Sequence, residues 1–291
     1  MIIIVINRLE KKKVCVFVRA YNASKFIDAC LGSLINQDFS SEIYIKILYD
    51  EGTKDDTLIV LTNYLTDHNN QAKRHIEIIQ HEHCSPFKSL LIHGLMKFRD
   101  EYDFFSILDY DNLYHTHYIT KSVESLELLK ADFLYSIPVV IDKFGHLSGK
   151  NLVNIPLNVK RQLLLKYMIL GMNFIDINAI FMTKDAVKII IPKLIQLSSP
   201  GYDWIFEDWV IGALAVYYLN VNKLEDHYIY YRVHEGNITG GLRNPEKDKI
   251  NFNRDILTLS CFRILLGQDF TITQRLFYMF SFIFKLTSRM N

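Results

Sequence analysis

At 291 residues, 49% apolar and 22% charged, the chain can bury a large core and is no disordered segment. A formal net charge of +1 supplies no basic field, so nucleic acid is not an expected partner. The four cysteines (Cys15, Cys30, Cys84 and Cys261) form no CxxC pair, which speaks against a disulfide framework or zinc site and for reduced thiols. Met1 to Ile6 is too short for a secretory leader, and Lys11 to Lys13 follow it instead of preceding it. No run reaches the roughly eighteen apolar residues of a spanning helix, and the expected location is the cytoplasm.

The first two-thirds alternate strand-like and helix-like segments, the pattern of an α/β fold with a mainly parallel sheet. Val14 to Val18 reads as a strand, and Ser24 as the cap of a helix whose apolar face is Ile27, Cys30, Leu31, Leu34 and Ile35. Ile43 to Leu48 is the next strand, followed by a helix that Asp55 or Asp56 can cap, with Leu58, Leu61 and Leu65. Ile76 to Ile79 is a third strand and Ser89 to Phe98 a helix; Phe104 to Leu108 is a fourth strand. Further strands are expected over Phe133 to Ile141, Ala179 to Met182 and Tyr228 to Val233, with a helix from Trp204 to Leu219. One domain runs to about residue 241, followed by a polar loop and helical tail over 242–291.

The strand at Phe104 drives directly into Asp109-Tyr110-Asp111-Asn112. Residues i and i+2 of an extended chain point the same way, so both carboxylates can face one hard cation. The C-terminal edge of a parallel sheet is also where α/β folds bind ligands. An acidic turn of Asp and Asn after a buried strand is the competing reading.

Four other segments change that balance. Arg19-Ala20-Tyr21-Asn22, with Asn36-Gln37 closing the next helix, resembles the opening of family-2 glycosyltransferases. Tyr49-Asp50-Glu51-Gly52-Thr53-Lys54-Asp55-Asp56-Thr57 resembles their acidic segment after the second strand, and Asp109-Tyr110-Asp111 falls at their DxD motif. Phe206-Glu207-Asp208-Trp209 resembles the segment carrying the catalytic base, and Tyr231 to Gly240 the closing segment of bacterial polysaccharide, O-antigen and capsule assembly enzymes. The resemblance covers about residues 13 to 240. It implies a GT-A type Rossmann-like sandwich, with a nucleotide-sugar half over about 13–112 and an acceptor half over about 113–241.

It also implies an inverting transfer from a nucleotide-diphosphate sugar, first of all a UDP-sugar, to a glycan or lipid-linked glycan. The cofactor is a divalent metal, Mn²⁺ or Mg²⁺, that offsets charge on the leaving diphosphate. By resemblance Asp111 is its direct ligand and Asp109 lies nearer the ribose. His234 can complete the shell, which favours Mn²⁺ over Mg²⁺. Arg232 offers a bidentate fork to the diphosphate. Asp208 is the expected base, its pKa lifted by Trp204, Phe206 and Trp209. Glu207 points about 100° away around a helix and reads as its orienting or structural partner.

Asp50 is placed to accept from a base N–H, while Arg19, Ala20 and Tyr21 lie against the nucleotide and Tyr110 sits between the two metal-site acids. Leu91 stands where relatives carry an arginine, and Lys88, three residues earlier, can substitute as a point charge. The aromatic, cation-flanked run Leu276 to Phe284 reads either as a packed terminal helix or as an interfacial one that makes the protein peripheral on the membrane's inner face. The competing function is a catalytically silent nucleotide-sugar-binding assembly subunit. A nucleotidyltransferase would need a Gly- and Lys-rich phosphate loop, which Arg19 to Asn22 is not.

Overall fold

The computed structural model describes residues 11–68, 73–83, 88–153, 161–169, 173–196, 207–226, 228–237 and 261. The expected strands β1 (Lys13–Ala20), β2 (Glu42–Asp50), β3 (Arg74–His81) and β4 (Phe104–Asp109) form, each with its following helix: α1 (Ile27–Ile35), α2 (Thr57–His68), α3 (Lys88–Phe98) and α4 (Tyr118–Leu129). A short β5 (Leu113–Tyr114) precedes α4, and β6 (Phe133–Tyr135), β7 (Val139–Ile141) and β8 (Leu147–Asn151) come after it. Then come α5 (Arg161–Ile169), β9 (Ile180–Thr183), α6 (Lys184–Gln196), α7 (Glu207–Tyr218), β10 (Val221–Lys223) and β11 (Ile229–Arg232).

Seven strands make the main sheet in the order β10-β6-β9-β4-β1-β2-β3, and β5-β11-β7-β8 make a second. In the main sheet every pairing is parallel except those of β9, which runs antiparallel to β4 and β6. Alternation across the central strand explains the layers. Val14, Val16 and Val18 face a layer with α1, α2 and α4, whereas Cys15 and Phe17 face α3, α5, α6 and α7. Burying each Val or Phe contributes about 1.5–3 kcal/mol, so a strand covered on both faces anchors the sheet. All of β1 but its first residue is buried.

Two boundaries differ from the sequence expectation, and a third falls outside the described residues. Ser24 does not cap α1, which starts at Ile27 without a side-chain cap; its N–H and hydroxyl bond Asp55 Oδ2 instead, at 3.1 and 2.7 Å. Asp55 also accepts from Thr57 N–H at 3.0 Å through Oδ1, which secures the start of α2 as expected. The single strand over Phe133 to Ile141 is two, in different sheets, because Ser136-Ile137-Pro138 interrupts it and proline has no N–H to donate. The helix expected from Trp204 is described from Glu207, and Trp204 and Phe206 lie outside the described residues, as do Cys84 and the whole of 242–260 and 262–291.

Candidate active site at the C-terminal edge of the sheet

The parallel strands β1, β2 and β4 end together, so Arg19-Ala20-Tyr21, Asp50 and Asp109-Tyr110-Asp111 emerge along one edge. Arg19 and Asp109 are register partners on adjacent strands. The guanidinium grips Asp109 with two bonds, Nε to Oδ1 at 2.6 Å and Nη2 to Oδ2 at 2.9 Å. Its Nη1 pairs with Glu207 Oε1, from the first turn of α7. Burial pulls the Arg19 pKa down, but the charges of Asp109 and Glu207 outweigh it and hold the group above its ordinary value. One buried cation thus ties the end of β4 to the helix that carries Asp208.

Asp109 is gripped from a third side. Its N–H donates to Asn178 Oδ1 at 2.6 Å, and Asn178 Nδ2 bonds Asp176 Oδ1 at 2.8 Å. These residues come from the segment entering β9, whose antiparallel direction starts it where β4 ends. Burial, relieved in part by hydrogen bonds from Asn178, pushes the Asp176 carboxyl up to about 6.

Asp111 sits apart from Arg19 and is 8% exposed. Its Oδ2 receives His234 Nε2 at 3.0 Å and Asn237 Nδ2 at 3.2 Å. Burial raises its pKa, the His234 hydrogen bond opposes that, and the charge of Asp109 adds to it. His234 Nδ1 accepts from Gly236 N–H at 3.1 Å, so the ring proton sits on Nε2 and faces Asp111. The ring also packs on Phe26, with centroids 4.7 Å apart. Among the described residues no three His, Cys, Asp or Glu side chains converge as a metal site.

Two arginines expected against the nucleotide are turned onto the protein's own acceptors. Arg19 is spent on Asp109 and Glu207. Arg232, 4% exposed, donates from Nε to Asp111 O at 2.9 Å and from Nη1 to the carbonyls of Asp142 and Lys143 at 3.3 and 3.2 Å. Its backbone N–H bonds Asn112 Oδ1 at 2.8 Å, so β11 is pinned to the turn after β4. Asp208 accepts from Asn173 Nδ2 at 2.9 Å and from Trp209 N–H at 2.7 Å.

Ala20 is fully buried, and Tyr110 packs half-buried against the layer of α1 and α2. Tyr21 stacks on His83, with centroids 5.8 Å apart. Lys88 opens α3, but its side chain lies outside the described residues. Leu91 is 1% exposed in the core, a position that suits leucine and not an outward charge.

Sequence reading missed Asn173, Asp176, Asn178, Asn237 and His83. Only Asn237 carried a signal, as the asparagine of the closing segment.

The family model "Glycosyl transferase family 2" matches residues 15–186, more than half the chain. No curated protein matches the sequence. S. aureus TarS (residues 1–349) with UDP-GlcNAc superposes with a TM-score of 0.56 at 16% identity, over 92% of this chain and 79% of that one. The same protein with UDP gives 0.52 at 17% identity, over 87% and 69%. A mannosyltransferase from Pyrobaculum calidifontis with GDP-Man and Mn²⁺ gives 0.58 at 11% identity, over 91% and 67%. The fold is that of GT-A glycosyltransferases. The chain belongs to glycosyl transferase family 2 and is a glycosyltransferase.

Proposed function

We propose that this enzyme transfers a sugar from a nucleotide-diphosphate sugar, with inversion and with a divalent metal, to a hydroxyl of a glycan or lipid-linked glycan in bacterial surface polysaccharide assembly. The observation that carries the reading is the Asp109–Arg19–Glu207 bridge, which holds the acid pair and the Asp208 helix at one edge. UDP, UDP-GlcNAc and GDP-Man in structural neighbours support the donor class, and Mn²⁺ in one of them supports the metal.

The residues fit a hard divalent ion. Asp111 is a buried carboxylate with a second acid beside it, and burial and the charge of Asp109 both raise its pKa; among the described residues its carboxylate forms no ion pair with an arginine or lysine. Such an oxygen suits Mg²⁺ or Mn²⁺. His234 suits the ion less directly in this arrangement: ligation through Nε2 moves the proton to Nδ1, opposite the Gly236 N–H. We therefore assign Asp111 as the ligand and His234, with Asn237, as the pair that orients it. When bound, the ion supplies positive charge against the departing diphosphate. Asp109, fixed by Arg19 and Asn178, stands beside it to meet the ribose.

Asp208 takes the proton of the attacking hydroxyl, with Asn173 and the Trp209 N–H fixing its two oxygens. Glu207 holds Arg19 and through it the helix. We place the enzyme in the cytoplasm at the membrane's inner face, with the run 276–284 as the contact. No helix among the described residues is long and apolar enough to cross a membrane.

The test is Asp208→Asn. Transfer should fall by at least about 100-fold while affinity for the nucleoside diphosphate, measured by calorimetry with Mn²⁺, stays within about twofold. Normal turnover in that variant would remove Asp208 as the base.

A further inference from the structure

Asp50 ends β2 only 1% exposed and accepts two hydrogen bonds, from Gly52 N–H at 2.7 Å and from His83 Nδ1 at 2.8 Å. Both donors land on Oδ1, and Oδ2 accepts from no described residue. Because its partner is a carboxylate, His83 Nδ1 carries the proton. His83 arrives from beyond β3, whose last residue, His81, is the register partner of Asp50. Gly52 makes the contact possible: a Cβ there would stand 2.3 Å from His83 Nδ1 and 2.9 Å from Asp50 Oδ1. The imidazole also stacks on Tyr21, with planes 23° apart.

We infer that His83 is a positioning residue that sets nucleobase selectivity: by occupying Asp50 Oδ1 it leaves one acceptor, Oδ2, for the base, and so selects uracil over guanine. This rests on the reading that the enzyme binds a nucleotide-diphosphate sugar. Uracil presents a single N3–H flanked by two carbonyl oxygens. One carboxylate oxygen satisfies it, and a second would face a carbonyl and repel it. Guanine presents N1–H and N2–H side by side, a pair of donors that a carboxylate meets with both oxygens. With Oδ1 filled by Gly52 and His83, that two-bond grip is closed. Cytosine and adenine place a ring-nitrogen acceptor where uracil has N3–H, so Oδ2 can meet only their exocyclic amine, beside a repelling lone pair. The Tyr21–His83 pair adds ring surface for stacking, which any base can use, so the selectivity resides in Oδ2.

The experiment is calorimetric binding of UDP, GDP and CDP with Mn²⁺ to the wild type, His83→Ala, His83→Gln and Gly52→Ala. The His83 side chain is 54% exposed, so its replacement leaves the core intact. The wild type should prefer UDP to GDP by about tenfold or more, the size of one hydrogen bond of about 1.4 kcal/mol. In His83→Ala that ratio should shrink by about tenfold. His83→Gln, which keeps an N–H donor, should restore part of it, and Gly52→Ala should reproduce His83→Ala by expelling the ring.

A wild type that prefers GDP, or a His83→Ala variant with the wild-type ratio, overturns the inference and leaves the proposed reaction standing. Loss of UDP and GDP affinity in equal proportion in His83→Ala marks a merely structural role and also overturns it. A wild type that binds none of the three overturns the donor reading itself, and the inference with it.

Discussion

Two carboxylates flank β1 on neighbouring strands and are treated in opposite ways. Asp109, ending β4, has both oxygens held by Arg19 and its N–H held by Asn178. Asp50, ending β2, has one oxygen held and one open. The first arrangement fixes architecture: a buried ion pair that spans strand and helix sets where Asp208 stands. The second is ready for a ligand, because a nine-tenths buried acceptor with no donor among the described residues costs free energy until something donates to it. Asp111 lies between the extremes, its carboxylate oriented by His234 and Asn237, with the Arg232 guanidinium held nearby on the Asp111 carbonyl.

The sharpest way to break this contrast is Asp111→Asn, which keeps the shape and removes the charge. Affinity for UDP in Mn²⁺ should drop by about tenfold or more while affinity in a chelator is unchanged. Equal metal dependence in the variant would move the metal elsewhere. Arg19→Ala comes next. It strands Asp109 and Glu207, whose side chains are 25% and 14% exposed, and urea unfolding should show a loss of about 3 kcal/mol. A loss below about 1 kcal/mol would mean that the bridge is not the anchor described here.

Asp176→Asn gives a smaller stability change than Arg19→Ala and tests the acid packed beside Asp109. A carboxyl raised in the folded state to about 6 is protonated there between roughly pH 4 and 6, where the unfolded chain has lost its proton. Its contribution is present below pH 4 and is lost as pH rises through 6, because the unfolded state then binds fewer protons. The variant should therefore gain about 2 kcal/mol relative to wild type at pH 7.5 over pH 4, read from urea unfolding at both values. A pH-independent difference would show that Asp176 is charged in the fold.

Much of the fold was legible because central strands are buried on both faces. Val14 to Val18 reads as an unbroken apolar run and Phe104 to Leu108 as one interrupted only by the buried Ser106 for that reason. The acid pair and the closing segment were legible as spaced residue types. What escaped was pairing. Arg19 and Arg232 advertise a charge but not its target, and the choice between a diphosphate and the protein's own acceptors is made by residues 90 and 121 positions away. His83, Asn173, Asp176 and Asn178 sit on connecting segments with no period to betray them. The break at Pro138 was visible as a proline and was overridden by the β-branched residues around it.

The reversed strand β9 has a consequence for how the site is assembled. Because it enters the sheet at the edge where β4 leaves it, the chain before β9 delivers Asn173, Asp176 and Asn178 to the acids without being joined to β4 by a tight turn. The register of Phe104 with Thr183 is set by the strands themselves, while α5 further upstream is tied to α7 by Trp209 Nε1 donating to Met168 O at 3.0 Å. The side chains around Asp109 and Asp208 therefore come from a stretch of chain separate from the strands that carry Arg19 and Asp109.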